Sequence, residues 1–173
     1  TRPTAAAPTT GRSTPAPTRT SARPATPSPK PTTSSPKPST PSSPRLTVSR
    51  SSGLDPDGVT LTIRGRGYDP AIGVYVALCT SASPREGSSC LGGADLSGAS
   101  GASAWVSSNP PPYGKELAVP YGAGGSFTVS ITVKASSGSL DCRTTRCGVV
   151  TRADHTRYGD RSQDVFIPVT FAR

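Results

Sequence analysis

Methionine is absent from the 173 residues and histidine occurs once. Without a Met at its head, the sequence reads as a mature form or an excised piece of a longer protein. A single His155 and four Cys leave few side chains for metal or nucleophilic chemistry. No apolar run approaches the ~18–20 residues of a membrane-spanning helix, so no membrane span is expected in this chain. Residues 1–44 lack more still: they hold no Asp, no Glu and no aromatic residue. They do hold 12 of the 20 prolines and 19 Ser or Thr. A segment with so little to bury cannot offset the entropy of ordering its backbone. It is expected to be a disordered Pro/Ser/Thr-rich stalk or linker, O-glycosylatable, reaching on the order of 140 Å at ~3.1 Å per residue when extended.

Charge follows the same division. Arg2, Arg12, Arg19, Arg23, Lys30 and Lys37 give the first 44 residues +6 with no acid to balance them. Residues 45–173 carry 13 Lys or Arg against 10 Asp or Glu, only +3. The basic character belongs mainly to the stalk. Plain electrostatics would direct such a stalk towards acidic envelope polymers, anionic lipid heads or nucleic acid, with solubility and reach as its blander role.

Residues 45–173 are the size of one ordinary domain. Short runs of period two are separated there by Gly, Pro, Asp and Ser. Leu46-Thr-Val-Ser begins them, and Val59-Thr-Leu-Thr-Ile sets Val59, Leu61 and Ile63 on one side. Gly73-Val-Tyr-Val-Ala-Leu-Cys79, Ala104-Trp-Val-Ser and the run of Phe127, Val129, Ile131 and Val133 continue the pattern. Cys147-Gly-Val-Val-Thr and the run from Asp164 to Phe171 make seven. Seven short strands without sustained helical periodicity predict an all-β, seven-stranded immunoglobulin-like β-sandwich. Pro168 in the last run predicts a sheet edge or a bulge.

Asp55-Pro-Asp-Gly58 has the chemistry of a tight turn. Its two aspartates could open a calcium loop, but the remaining ligands of such a loop are missing. Gly65-Arg-Gly67 lacks the third glycine of a dinucleotide site. Four cysteines suggest two disulfides and an oxidising, extracellular compartment. Sequential pairing would close loops worth roughly 2–3 kcal/mol each by the chain-entropy argument. A zinc site, the other reading, usually uses Cys pairs set more closely.

Three segments carry a family resemblance: Ser51-Ser-Gly-Leu54 followed by Asp57-Gly-Val, the pair Cys79 and Cys90, and Leu140-Asp-Cys-Arg-Thr-Thr-Arg-Cys147. With the closing Val165-Phe-Ile-Pro-Val-Thr-Phe171, these resemble the neocarzinostatin-type apoproteins of actinomycetes over roughly residues 45–173. The resemblance implies disulfides Cys79–Cys90 and Cys142–Cys147. It also implies a non-enzymatic carrier that holds an enediyne chromophore in a cleft and delivers it to DNA. The chain departs from that pattern at the cleft. Ala77 stands where the carriers have glycine, Ser81 where an aromatic is usual, and Arg152 where a small serine is found. The segment from Cys90 to Phe127 is longer than in the carriers and holds Trp105, Tyr113 and Tyr121.

The expected ligand site is therefore a cleft beside the first disulfide, lined by Ala77, Ser81, Trp105 and Arg152, taking a small apolar ligand. Trp105 as a plug of the sandwich core is the competing expectation. His155 lacks the nucleophile and oxyanion site that catalysis would require. It reads as a loop histidine, with metal or haem capture alongside Tyr158 as its alternative. Arg143, Arg146, Arg152, Arg157 and Arg161 are interleaved with Asp141, Asp154, Asp160 and Asp164, which predicts surface ion pairs rather than an anion site. The whole reads as a non-enzymatic, monomeric binding or interaction module, secreted or tethered to the cell envelope, with no cofactor. The alternative is a small-ligand carrier with DNA contact and an antimicrobial role. If residues 1–44 are a stalk, a chain beginning near Pro44 keeps its thermal midpoint within a few degrees of the full chain; a larger drop refutes the division.

Overall fold

The computed structural model describes residues 43–80, 90–91, 100–138 and 140–173. Each of the seven period-two runs forms a strand: β1 (Arg45–Val48), β2 (Val59–Arg66), β3 (Val74–Cys79), β4 (Ser103–Val106), β6 (Phe127–Val133), β9 (Cys147–Ala153) and β10 (Val165–Val169). Three two-residue strands supplement them: β5 (Ala118–Val119), β7 (Ser136–Ser137) and β8 (Leu140–Asp141). The sheets run β1-β2-β6 and β10-β9-β3-β4-β5, with β7-β8 a small hairpin. All pairings are antiparallel except β4 with β5. Because β2 pairs with β6 and β3 with β9, the chain crosses between sheets, as an immunoglobulin-like sandwich requires.

Period two decides what lies between the layers. Leu61, Ile63, Ile131 and Val133 face inward from the three-stranded sheet; Val74, Val76, Leu78 and Val149 meet them from the other, all essentially without solvent contact. Gly65 is paired with Phe127, and a Cβ on it would lie 2.1 Å from the phenyl Cε1, so the ring fills the space that the missing side chain leaves. Strand β10 is the edge of its sheet, where Pro168 costs least, because a proline has no N–H for a further strand. The tight turn is present too, with the Asp57 N–H donating to Asp55 Oδ1 at 2.9 Å.

Both disulfides close sequential pairs. Cys79–Cys90 ties the end of β3 to the segment after it, and Cys142–Cys147 links the residue after β8 to the first residue of β9. Each restrains the unfolded chain by about 2–3 kcal/mol on the entropy argument.

Tyr68, just after β2, is the polar strut of the core. Its hydroxyl lies 2.9 Å from Thr151 Oγ1, which itself donates to the Gln163 carbonyl at 2.8 Å. The threonine proton is thereby used, so Tyr68 donates. Its ring packs on Phe127 and Tyr121. Burial pushes the Tyr68 hydroxyl up to about 12 and raises Tyr121, which donates to the Ile72 carbonyl. A folded pKa above the unfolded value near 10 means stability fully present below pH 10 and lost as pH rises through about 12. Absorbance titration should therefore show these two tyrosines ionising only as the domain unfolds. Their ionisation at pH 10 in a folded protein would contradict the packing.

Candidate functional site

The alternation that sends Val74, Val76 and Leu78 inward turns Tyr75, Ala77 and Cys79 to the outer face of the larger sheet. Strand register then builds two rows across it. One runs Trp105–Tyr75–Arg152, and the other runs Ser103–Ala77–Val150–Phe166. The second row is apolar: Ala77, Cys79 and Val150 are buried together against Cys90 and Phe166. Gly148 makes this possible, because a Cβ there would lie 2.4 Å from Phe166 Cε2, and its absence lets the ring lie over β9.

The first row is polar and more fully built. The Trp105 Nε1–H donates to Asp154 Oδ2 at 2.9 Å, while the other carboxylate oxygen accepts from the Thr156 N–H and hydroxyl. Asp154 is 1% exposed. It occupies the space beside Gly73, where a Cβ would come within 2.0 Å of its carboxylate. Trp105 is covered in turn by the one-turn 3-10 segment Pro112–Gly114. The α-carbon of Gly114 approaches the indole so closely that a Cβ would meet it at 2.2 Å. His155 closes the group: Nδ1 is 2.5 Å from the Tyr75 hydroxyl and Nε2 is 2.6 Å from that of Tyr113. A neutral imidazole has one donor and one acceptor nitrogen, so one tyrosine accepts while the other donates. Burial, with the Asp154 charge second, pushes Tyr75 up to about 12.

Trp105 is therefore neither a wet cleft indole nor a plug between the sheets. It is 6% exposed, on the outer face, beneath a turn of its own extended segment. Ala77 and Arg152 share that face with it; Ser81 lies outside the described residues. The expected surface ion pairs give way largely to ring contacts. Arg152 lies 4.3 Å over Tyr158 and Arg146 lies 5.5 Å over Phe166, while Arg161 pairs with Asp164 at 2.9 Å. The planar guanidinium favours aromatic faces that the turn after β9 and strand β10 bring beside it. Arg152 Nε and Asp164 Oδ1 are buried without a hydrogen-bond partner. Burial raises the Asp164 pKa against the opposing charges of Arg161 and Arg152. Tyr75, Val150 and Phe166 were absent from the sequence-based site. Counting every second residue outward from the core along β3, β9 and β10 would have found them.

His155 is committed to two tyrosines and all four cysteines are bonded. Among the described residues no three His, Cys, Asp or Glu side chains are grouped to hold a metal ion. A cavity of about 470 Å³ opens at the loop end of the sandwich beside Gly73, Ser107 and Arg157, away from Ala77.

A two-disulfide immunoglobulin-like sandwich with an apolar strip on the outer face of its larger sheet defines a class of small disulfide-bonded β-domain. The chain belongs to the neocarzinostatin family, whose family model matches residues 46–169. Among curated proteins it is similar to the thiamine biosynthesis protein X of Corynebacterium glutamicum, 35% identical over 120 residues, covering 67% of this chain and 57% of that protein. The chain thus spans little more than half the length of that relative. Among solved structures it is similar to macromomycin, at 20% identity and a TM-score of 0.49, covering 75% of this chain and 99% of that one.

Loss of the indole donor would strand the buried Asp154 carboxylate. Trp105→Phe should lower stability by about 1–3 kcal/mol, and the single tryptophan of the parent should resist a neutral quencher. Ready quenching in the folded protein, with no stability change on substitution, would contradict this environment.

Proposed function

We propose that this protein is a non-enzymatic binding module, secreted or held at the cell envelope, that takes a small apolar ligand on the outer face of its larger sheet. The observation that carries this reading is the strip of Ala77, Val150 and Phe166 beside Cys79–Cys90. Arg152 stands one residue pair along β9 with a buried, unpartnered Nε. An apolar body with one hydrogen-bond acceptor would satisfy both features, since an unpaired buried donor is costly. The disulfides support an extracellular setting. Family membership supports carriage of a small molecule. Ala77 in place of glycine and Arg152 in place of serine, however, give this face a shape and polarity of its own. Residues 1–44 would serve as a spacer holding the domain away from its attachment.

Anilinonaphthalene sulfonate, an apolar dye with one anionic acceptor, is a direct probe. The full chain should bind it while folded. Arg152→Gln should weaken binding about tenfold. Ala77→Phe, which overpacks a buried position and so lowers the thermal midpoint, should block it at temperatures where circular dichroism shows the variant still folded. Absence of dye binding, or equal binding by both variants, would overturn the reading. Native mass spectrometry of protein from its own producer would then identify the natural ligand.

A further inference from the structure

The opposite face of the sandwich carries a different chemistry. The outward positions of β1, β2 and β6 include three arginines: Arg45, Arg64 and Arg66. Every other outward position is a hydroxyl: Thr47, Thr60, Thr62, Thr128, Ser130 and Thr132. Among the described residues, the outward positions of these three strands hold no carboxylate, no aromatic ring and no aliphatic side chain.

The arginines are not dispersed. Arg45 is the direct cross-strand partner of Arg66, and Arg64 is paired with Thr47 on one side and Thr128 on the other. Like charges directly opposite on a sheet destabilise it. Nothing nearby offsets them, because among the described residues none of the three lies within ion-pair distance of a carboxylate. The hydroxyls partly satisfy each other, as in Thr60 with Thr132 at 3.0 Å, or reach backbone, as Thr47 does to the Arg64 carbonyl.

We propose that this face docks a flexible, linear polyanion with a hydroxylated repeat, of the polyol-phosphate kind. Arg64 and Arg66, two residues apart on one face, are set ~6.8 Å apart along the strand. Arg45 lies ~5 Å across from Arg66. Guanidinium groups at this spacing suit successive anionic groups of one extended chain, with the Thr and Ser hydroxyls meeting the polyol oxygens between them. The face is flat and about three strands wide, with no element that projects into the groove of a nucleic-acid duplex. It lacks the aromatic platforms that hold single-stranded nucleic acid, and it has no apolar side chain to enter a lipid surface. Charge complementarity and flatness together select the flexible polyanion. This inference is independent of the ligand strip, which lies on the other side of the core.

The test uses the full chain and poly(glycerol phosphate) as the probe, with affinity measured across a range of salt. The triple variant Arg45→Gln, Arg64→Gln, Arg66→Gln should bind at least tenfold more weakly and with a shallower salt dependence. It should melt no lower than the parent, because a like-charge pair is removed. The corresponding triple Arg→Lys variant keeps the charge and should bind within about threefold of the parent. Replacing the six cations of residues 1–44 by Gln should weaken binding yet leave the tenfold effect of the face arginines intact. An equal affinity of parent and Gln triple, or equal losses in the Gln and Lys triples, would overturn the proposal. Tighter binding to a DNA duplex than to poly(glycerol phosphate) would overturn this choice of partner. Dye binding on the opposite face is expected to be unchanged throughout, so failure of one proposal is separable from failure of the other.

Discussion

The alternation of side chains along β3 and β9 is the constraint on which the rest depends. These two strands lie at the centre of the larger sheet, and each must serve two environments. Their odd and even positions send Val74, Val76 and Val149 into the dry space between the sheets and Tyr75, Ala77, Val150 and Arg152 to the other side. A register slip of one residue would exchange the two sets, placing Arg152 among the buried aliphatics. Tyr68, reaching across from the end of β2 to Thr151, holds β9, and the disulfide from Cys79 to Cys90 holds the end of β3, so each strand of the pair is also tied to a further segment.

The strands were legible in the sequence because an exposed or half-buried face leaves a period of two. The closing run with its internal proline could be assigned to an edge for the same local reason: a proline has one hydrogen-bonding deficiency and few places to put it. The cysteine pairs followed from resemblance, and the structure joins them as the family does. Side-chain partners were less legible. Arg146 and Arg152 lie near aspartates in sequence, but in space they cover Phe166 and Tyr158, and the carboxylate whose charge Arg152 opposes, Asp164, comes from just before β10. Linear proximity overstated the ion pairs because it cannot register a ring lying over the next strand.

Trp105 shows the same limit at higher resolution. Sequence reasoning offered two environments, cleft or core, and the indole occupies a third. It sits on the outer face of the larger sheet but under Gly114, with its polar edge held by Asp154. The lengthened segment between β4 and β6 therefore brings its own aromatic cover, and Tyr113 and His155 complete it. What remains on that face is the smaller apolar row through Ala77. Family membership accords with the framework, whereas the polarity of the face is set by the side chains that β3, β4 and β9 turn outward.

The position of Pro168 bears on behaviour at high concentration. Strand β10 ends one side of the larger sheet, and the two-residue β5 ends the other. An unguarded rim of amide groups invites strand addition from neighbouring molecules, which leads to swapped oligomers and fibrils. Here one rim is interrupted by an imino acid and the other is too short to template a partner. Strand addition is thereby disfavoured at both rims of the larger sheet, which leaves β1 and β6, the rims of the three-stranded sheet, as the places where copies could pair.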